Sequence, residues 1–120
     1  TIAMGVVASA AVPILAAGTP GKRFIFPHSK TMIHLPHGTT TGDTKDLEII
    51  LKEFQHARDT YAANLSAHSK KSAEEILALM DRDHWMTAEE TITLGIADKV
   101  IHGLEDIALE ASERRATSSP

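Results

Sequence analysis

The stretch GVVASAAV, residues 5–12, sets one hydroxyl, Ser9, inside an apolar run of small side chains. Small neighbours let the backbone turn sharply and let a second group approach the hydroxyl closely, as a nucleophile at a strand-to-helix corner requires. A serine in an alanine-rich segment is more ordinarily a small core or cap residue, so on the local pattern alone packing comes first. Ile2–Met4 reads as the end of a buried strand, and a helix is expected from around Ser9, with Pro13 tolerated in its opening turns. The apolar run 2–17 falls short of the roughly 20 residues that cross a bilayer and lacks a basic flank. It is also broken by Gly5, Ser9 and Pro13, so neither a membrane span nor a signal segment is expected.

A length of 120 residues suits one folding unit with a modest core. The composition, 42% hydrophobic and 23% charged, is that of an ordinary globular chain, and a net charge of -4 offers no basic field for a nucleic acid. Cysteine is absent, which excludes a disulfide framework, a thiolate zinc site and a cysteine nucleophile. With one Trp, one Tyr and three Phe, the core must be built from Ile, Leu, Val and Ala.

Working outward, Arg23–Phe26 and Thr31–Leu35 read as short strands separated by Pro27, His28 and Ser29, the second delivering His34. Pro36 and Gly38 break it, and the polar run 39–42 reads as a loop or exposed edge strand. From Asp43 or Thr44 to about His68, apolar residues at Leu47, Ile50, Leu51, Phe54, Tyr61 and Leu65 mark one face of a long helix. Ser72 with Glu75, and Thr87 with Glu90, are capping-box patterns that start two more helices. Gly95 ends the second of these, and a last strand is expected over Ile96–Ile101. Residues 104–120 read as a polar, frayed tail. Strands alternating with helices give an α/β layer fold, from which the long helix protrudes; its apolar stripe calls for a cover, naturally a second copy of the chain.

A serine hydroxyl needs a base to take its proton, and the base needs an acceptor to hold its ring. Of the seven histidines, His56 and His68 fall on the long helix and His102 near the tail, where solvated roles are the default. His34 lies between Ile33 and Leu35, a setting that aims its ring into a cleft. Asp83, within DRDHW, falls on an expected connecting loop before Trp85, which can anchor it. On these grounds the triple Ser9, His34 and Asp83 is one choice among many that such a chain offers. His34 and His37 have the spacing of half a zinc site, but Pro36 forbids the helix that would align them, so no metal is expected. Phe54 and Tyr61 read as packing.

At this point the residues carry a resemblance. GVVASAAV, LAAG, GKRF, MIH and DRDHWMTAEE followed by LGIADKVI together resemble the C-terminal two thirds of the proteolytic subunit of Clp peptidase, ClpP, over about residues 2–101. The resemblance implies a ClpP/crotonase-like α/β fold in which residues 1–103 are a partial peptidase domain, with a handle over about 36–68 and the polar tail beyond. It implies an ATP-dependent Clp-type serine endopeptidase with Ser9, His34 and Asp83 as catalytic triad and Ala10 N–H as an oxyanion donor. Arg82 is similar to the arginine that ties ring pairing to triad alignment. Implied partners are copies of itself in a double heptameric ring, an AAA+ Clp ATPase unfoldase that uses the ATP, and protein and peptide substrates. No cofactor, nucleic acid or membrane is implied, and the expected location is the cytoplasm or an organelle lumen.

Some residues depart from the family pattern. Ala10 and Ala11 replace the usual Met-Gly after the nucleophile, Leu35 stands where glutamine is common, and the handle loop is rich in threonine. The family's second oxyanion donor comes from a glycine-rich loop earlier in the chain, a part expected to be missing here. The ASAA and HWMTAEE segments also resemble phage-encoded Clp-like peptidases that mature capsids. Other readings of the chain are a catalytically impaired or non-catalytic ring subunit, and a crotonase-type acyl-CoA enzyme that needs no serine.

Overall fold

The structure, a computed structural model, describes residues 1–118. In chain order its elements are β1 (Ile2–Ala3), β2 (Val6–Ala8), α1 (Ala11–Ala16), β3 (Phe24–Ile25), β4 (Lys30–Ile33) and α2 (Thr44–Ala67). They continue with α3 (Ala73–Leu79), β5 (His84–Met86), α4 (Ala88–Thr93), β6 (Lys99–Val100) and α5 (Glu105–Thr117). This is the α/β layer architecture expected.

The strands form two small sheets. One is parallel throughout in the order β1-β3-β6, and the other, β2-β4-β5, joins a parallel pair to an antiparallel one. The chain passes from the first sheet to the second twice, through Met4–Gly5 and through residues 26–29. Gly5 makes the first passage at φ +66, a left-handed conformation that glycine adopts without steric cost. The seam is stitched by Phe26 N–H to Ala3 O and Lys30 N–H to Gly5 O, with the buried Ser29 hydroxyl also donating to Ala3 O at 3.1 Å.

One aliphatic cluster lies under both sheets, with Val12 and Leu15 from α1, Ile25 and Ile33 from the strands, Leu65 from α2, Ile76 and Met80 around α3, and Ile96. This is the core that an aromatic-poor sequence must build. Both capping boxes are present, Ser72 exchanging hydrogen bonds with Glu75 and Thr87 with Glu90, while Asp43 caps α2 through Asp46 N–H. These backbone bonds to the carboxylates hold Glu75 and Glu90 below the usual carboxylate range.

The long helix protrudes, in a molecule 66 × 30 × 20 Å overall. Its C-terminal end is packed, with Ala62 and Leu65 fully buried, whereas Leu47, Ile49, Leu51 and Phe54 near its start are exposed.

Four expectations are corrected. The first helix begins at Ala11, and Val6–Ala8 before it is a strand. The segment DRDHW is a loop only as far as Asp83, as expected for the acid, and beyond it His84–Met86 forms a strand that pairs with β4. Trp85 anchors nothing and is exposed. The frayed tail is a helix through Thr117. Although α5 buries no side chain fully, Glu105 and Asp106 sit in its first turn and Arg114 and Arg115 in its last, matching the helix dipole. Asp106 accepts from the N–H groups of His102 and Gly103, and Arg114 bonds both Glu110 and the carbonyl of Gly21. Among the described residues no helix is long and apolar enough to cross a membrane.

Candidate active site

The site lies where β2, β4 and β5 end. Ser9 follows β2 directly, its N–H donating to Met32 O at 2.8 Å as a last rung of the parallel ladder. Its φ is +56, a left-handed conformation in which a residue bearing a Cβ is strained. That conformation turns the chain at once into α1, whose N-cap is Ala10. Ala8, Ala10 and Ala11 leave the corner uncrowded, so the hydroxyl stands clear of its own backbone.

His34 follows β4. Because Ala8 pairs with Met32, the parallel register brings the residues after β2 and β4 to the same end of the sheet. There His34 Nε2 lies 3.0 Å from Ser9 Oγ, a hydrogen bond of ordinary length. Asp83 arrives from the opposite direction. In the antiparallel pair Met32 faces Trp85 and Ile33 faces His84, so the next step sets His34 opposite Asp83. Asp83 is the last residue of the loop before β5, and the register of β5 on β4 brings the acid beside the imidazole.

The third contact is looser than the first. Asp83 Oδ1 lies 3.7 Å from His34 Nδ1, beyond hydrogen-bonding distance. The Asp83 side chain is 64% exposed and that of His34 only 18%. Nδ1 itself is buried without a hydrogen-bond partner. The His37 ring meets the His34 ring edge-on, 4.9 Å between centroids. Among the described residues no three His, Asp or Glu side chains are gathered as a metal site would require.

Arg82 bonds its neighbour Asp81. Its side chain is 90% exposed, and its guanidinium donates to the Asp81 carbonyl at 2.8 Å. Ala10 borders an open groove of about 360 Å³ between α1 and α2, lined also by Pro13, His56, Ala57, Thr60 and Tyr61.

Tyr61 is the residue that sequence reasoning missed. Its hydroxyl donates to the carbonyl oxygen of Ser9 at 2.8 Å, and burial holds the phenol's pKa above its ordinary value. Helical spacing marked it as an inward-facing residue; only the tertiary fold shows which atom its hydroxyl meets.

As chemistry, a serine hydroxyl bonded to an imidazole with a carboxylate on the ring's far side is an arrangement that can supply a nucleophile and a base for acyl transfer. Comparison with known proteins points the same way. The family model described as Clp protease matches residues 1–103. Over 101 residues the chain is 44% identical to the "ATP-dependent Clp protease proteolytic subunit" of Porphyromonas gingivalis, covering 84% of this chain and 46% of that one. It is 41% identical over 110 residues to "ATP-dependent Clp protease proteolytic subunit 4, chloroplastic" of Arabidopsis thaliana, covering 92% and 38% respectively. With "ATP-dependent Clp protease proteolytic subunit 2" of Corynebacterium jeikeium it shares 45% identity over 101 residues, covering 83% and 48%. The chain thus spans under half the length of these relatives, and residues 1–103, which the family model matches, take in the whole of the site just described. By that match, over most of its residues, the chain belongs to the Clp protease family.

Proposed function

We propose that the chain carries the active site of an ATP-dependent Clp-type serine endopeptidase subunit, with Ser9 as nucleophile, His34 as general base and Asp83 as the acceptor that holds the imidazole. The observation that carries this reading is the 3.0 Å contact of Ser9 Oγ with His34 Nε2, with Asp83 facing the other ring nitrogen. Nε2 takes the Oγ proton as Oγ attacks a peptide carbonyl, and returns it to the leaving amine. A water then repeats the sequence on the acyl-serine. Ala10 N–H, next to the nucleophile, is the donor for the developing oxyanion. The gap at Asp83 closes in the working complex, since catalytic hydrogen bonds in free enzymes are often long.

In this reading the exposed apolar start of α2 is covered by other copies in a double-ring chamber, and Arg82 couples ring pairing to the position of Asp83. An AAA+ unfoldase, which uses the ATP, supplies unfolded protein, in the cytoplasm or an organelle lumen. Labelling the protein with a fluorophosphonate and sequencing the labelled peptide tests the site: the adduct is expected on Ser9, and its absence refutes the reading. The loose Asp83 contact favours one alternative, a ring subunit that assembles without catalysis. Large particles in sedimentation with no label on Ser9 would establish it.

A further inference from the structure

Ser9 is held in a strained conformation, and both of its backbone polar groups are engaged. Its N–H is tied to β4, and its carbonyl accepts two bonds, from Val12 N–H at 3.1 Å and from the Tyr61 hydroxyl at 2.8 Å. The Val12 bond belongs to the first turn of α1. The Tyr61 bond comes from a helix 52 residues along the chain. The Ser9 carbonyl and the Ala10 N–H share one peptide group, which is planar, so fixing the oxygen on one side fixes the direction of the N–H on the other.

We infer that Tyr61 is a positioning residue: by anchoring the Ser9 carbonyl, its hydroxyl aims the Ala10 N–H at the place where an oxyanion forms and keeps Ser9 Oγ against His34. The inference rests on the peptidase reading and adds to it a residue on α2. Its role is to restrain the peptide plane, with no contact to substrate and no proton moved. A carbonyl oxygen has two lone pairs, so loss of the phenol leaves the Val12 bond in place and the plane free to tilt. The effect should be felt in the transition state, where the oxyanion exists, and not in substrate binding.

Tyr61→Phe deletes the hydroxyl and keeps the ring. The expected result is a kcat about 10-fold lower for a fluorogenic peptide with KM changed less than about twofold, milder than outright loss of an oxyanion donor. Amide exchange should quicken at Val12 and stay as slow as in the parent at Leu65 and Ile76. A kcat equal to the parent's overturns the inference, as does a loss of kcat accompanied by faster exchange at Leu65 and Ile76, which marks a packing role. Tyr61 is the sole tyrosine, so fluorotyrosine incorporation labels it alone in a folded protein. Its fluorine resonance should shift when Ser9 takes a fluorophosphonate, and an unmoved resonance also overturns the inference. A parent protein that takes no label overturns the peptidase reading and this inference with it, and is recognised because parent and variant are then equally inert.

Discussion

Two aspartates, Asp98 and Asp83, each face a basic group and are held in opposite ways. Asp98 accepts from Gly21 N–H, from Arg23 N–H and from Arg23 Nε and Nη2, the last at 2.7 Å. The same guanidinium donates to the carbonyls of Ala16 and His68, so one ion pair ties the ends of α1 and α2 to β3 and the approach to β6. The Arg23 side chain is 9% exposed, and hydrogen bonding from it holds the Asp98 carboxyl at a pKa of about 2. Asp83 faces its imidazole across 3.7 Å with its side chain mostly in solvent. The carboxylate that fastens the fold is saturated with donors; the one beside His34 is left mostly in solvent, with room to move.

Substitutions separate the roles of the two carboxylates. Ser9→Ala should have the largest effect, lowering kcat for peptide hydrolysis by about 10⁶-fold while the melting temperature holds; retained turnover would remove the site from the reaction altogether. Asp83→Asn should cost less, about 10⁴-fold, because the serine–imidazole contact survives it. A loss as large as that of Ser9→Ala would show Asp83 to be as firmly engaged in the working state as Asp98 is at rest.

Asp98→Ala should act on the fold, destabilising it by about 3 kcal/mol in denaturant unfolding, because it strands a buried guanidinium. Acid gives the same contrast without mutation. Asp98 has a folded pKa of about 2 against an ordinary 3.8, so its contribution is complete above the ordinary value and is lost as pH falls towards 2. Stability measured between pH 4 and 2 should therefore drop less steeply in Asp98→Ala than in the parent. Smallest is Arg82→Ala, expected to change chain stability by less than about 0.5 kcal/mol, since its contacts are local and exposed.

What the sequence made legible was set by locality. The caps at Ser72 and Thr87 are chemistry between near neighbours, and the periodicity of α2 is repeated for 24 residues, so both can be read directly. Strands of two or three residues, such as β2 and β5, carry no period that a sequence pattern can show. Those two strands position Ser9 and Asp83, so the residue types at the site were readable while the scaffold that joins them was not. Singling out Asp83 from the other acids needed the family resemblance, since the reason it meets His34 is a pairing made far along the chain. Tyr61 shows the same limit, and α5 another: it buries no side chain fully, so it carries no strong apolar stripe, and its signal is the charge at its two ends.

The pairing of β4 with β5 has a consequence for how such a chain can change over time. Everything between His34 and Asp83, including the threonine-rich loop, α2 and α3, is an excursion whose length does not enter the register. The threonine-rich loop and the exposed start of α2 can grow or shrink and leave the acid and the imidazole face to face, whereas the packed end of α2 and α3 are held by the core. A single residue inserted between Asp83 and Met86 would instead turn the carboxylate to the other side of the sheet. Natural variation in length should therefore gather in the excursion and be purged from those few positions.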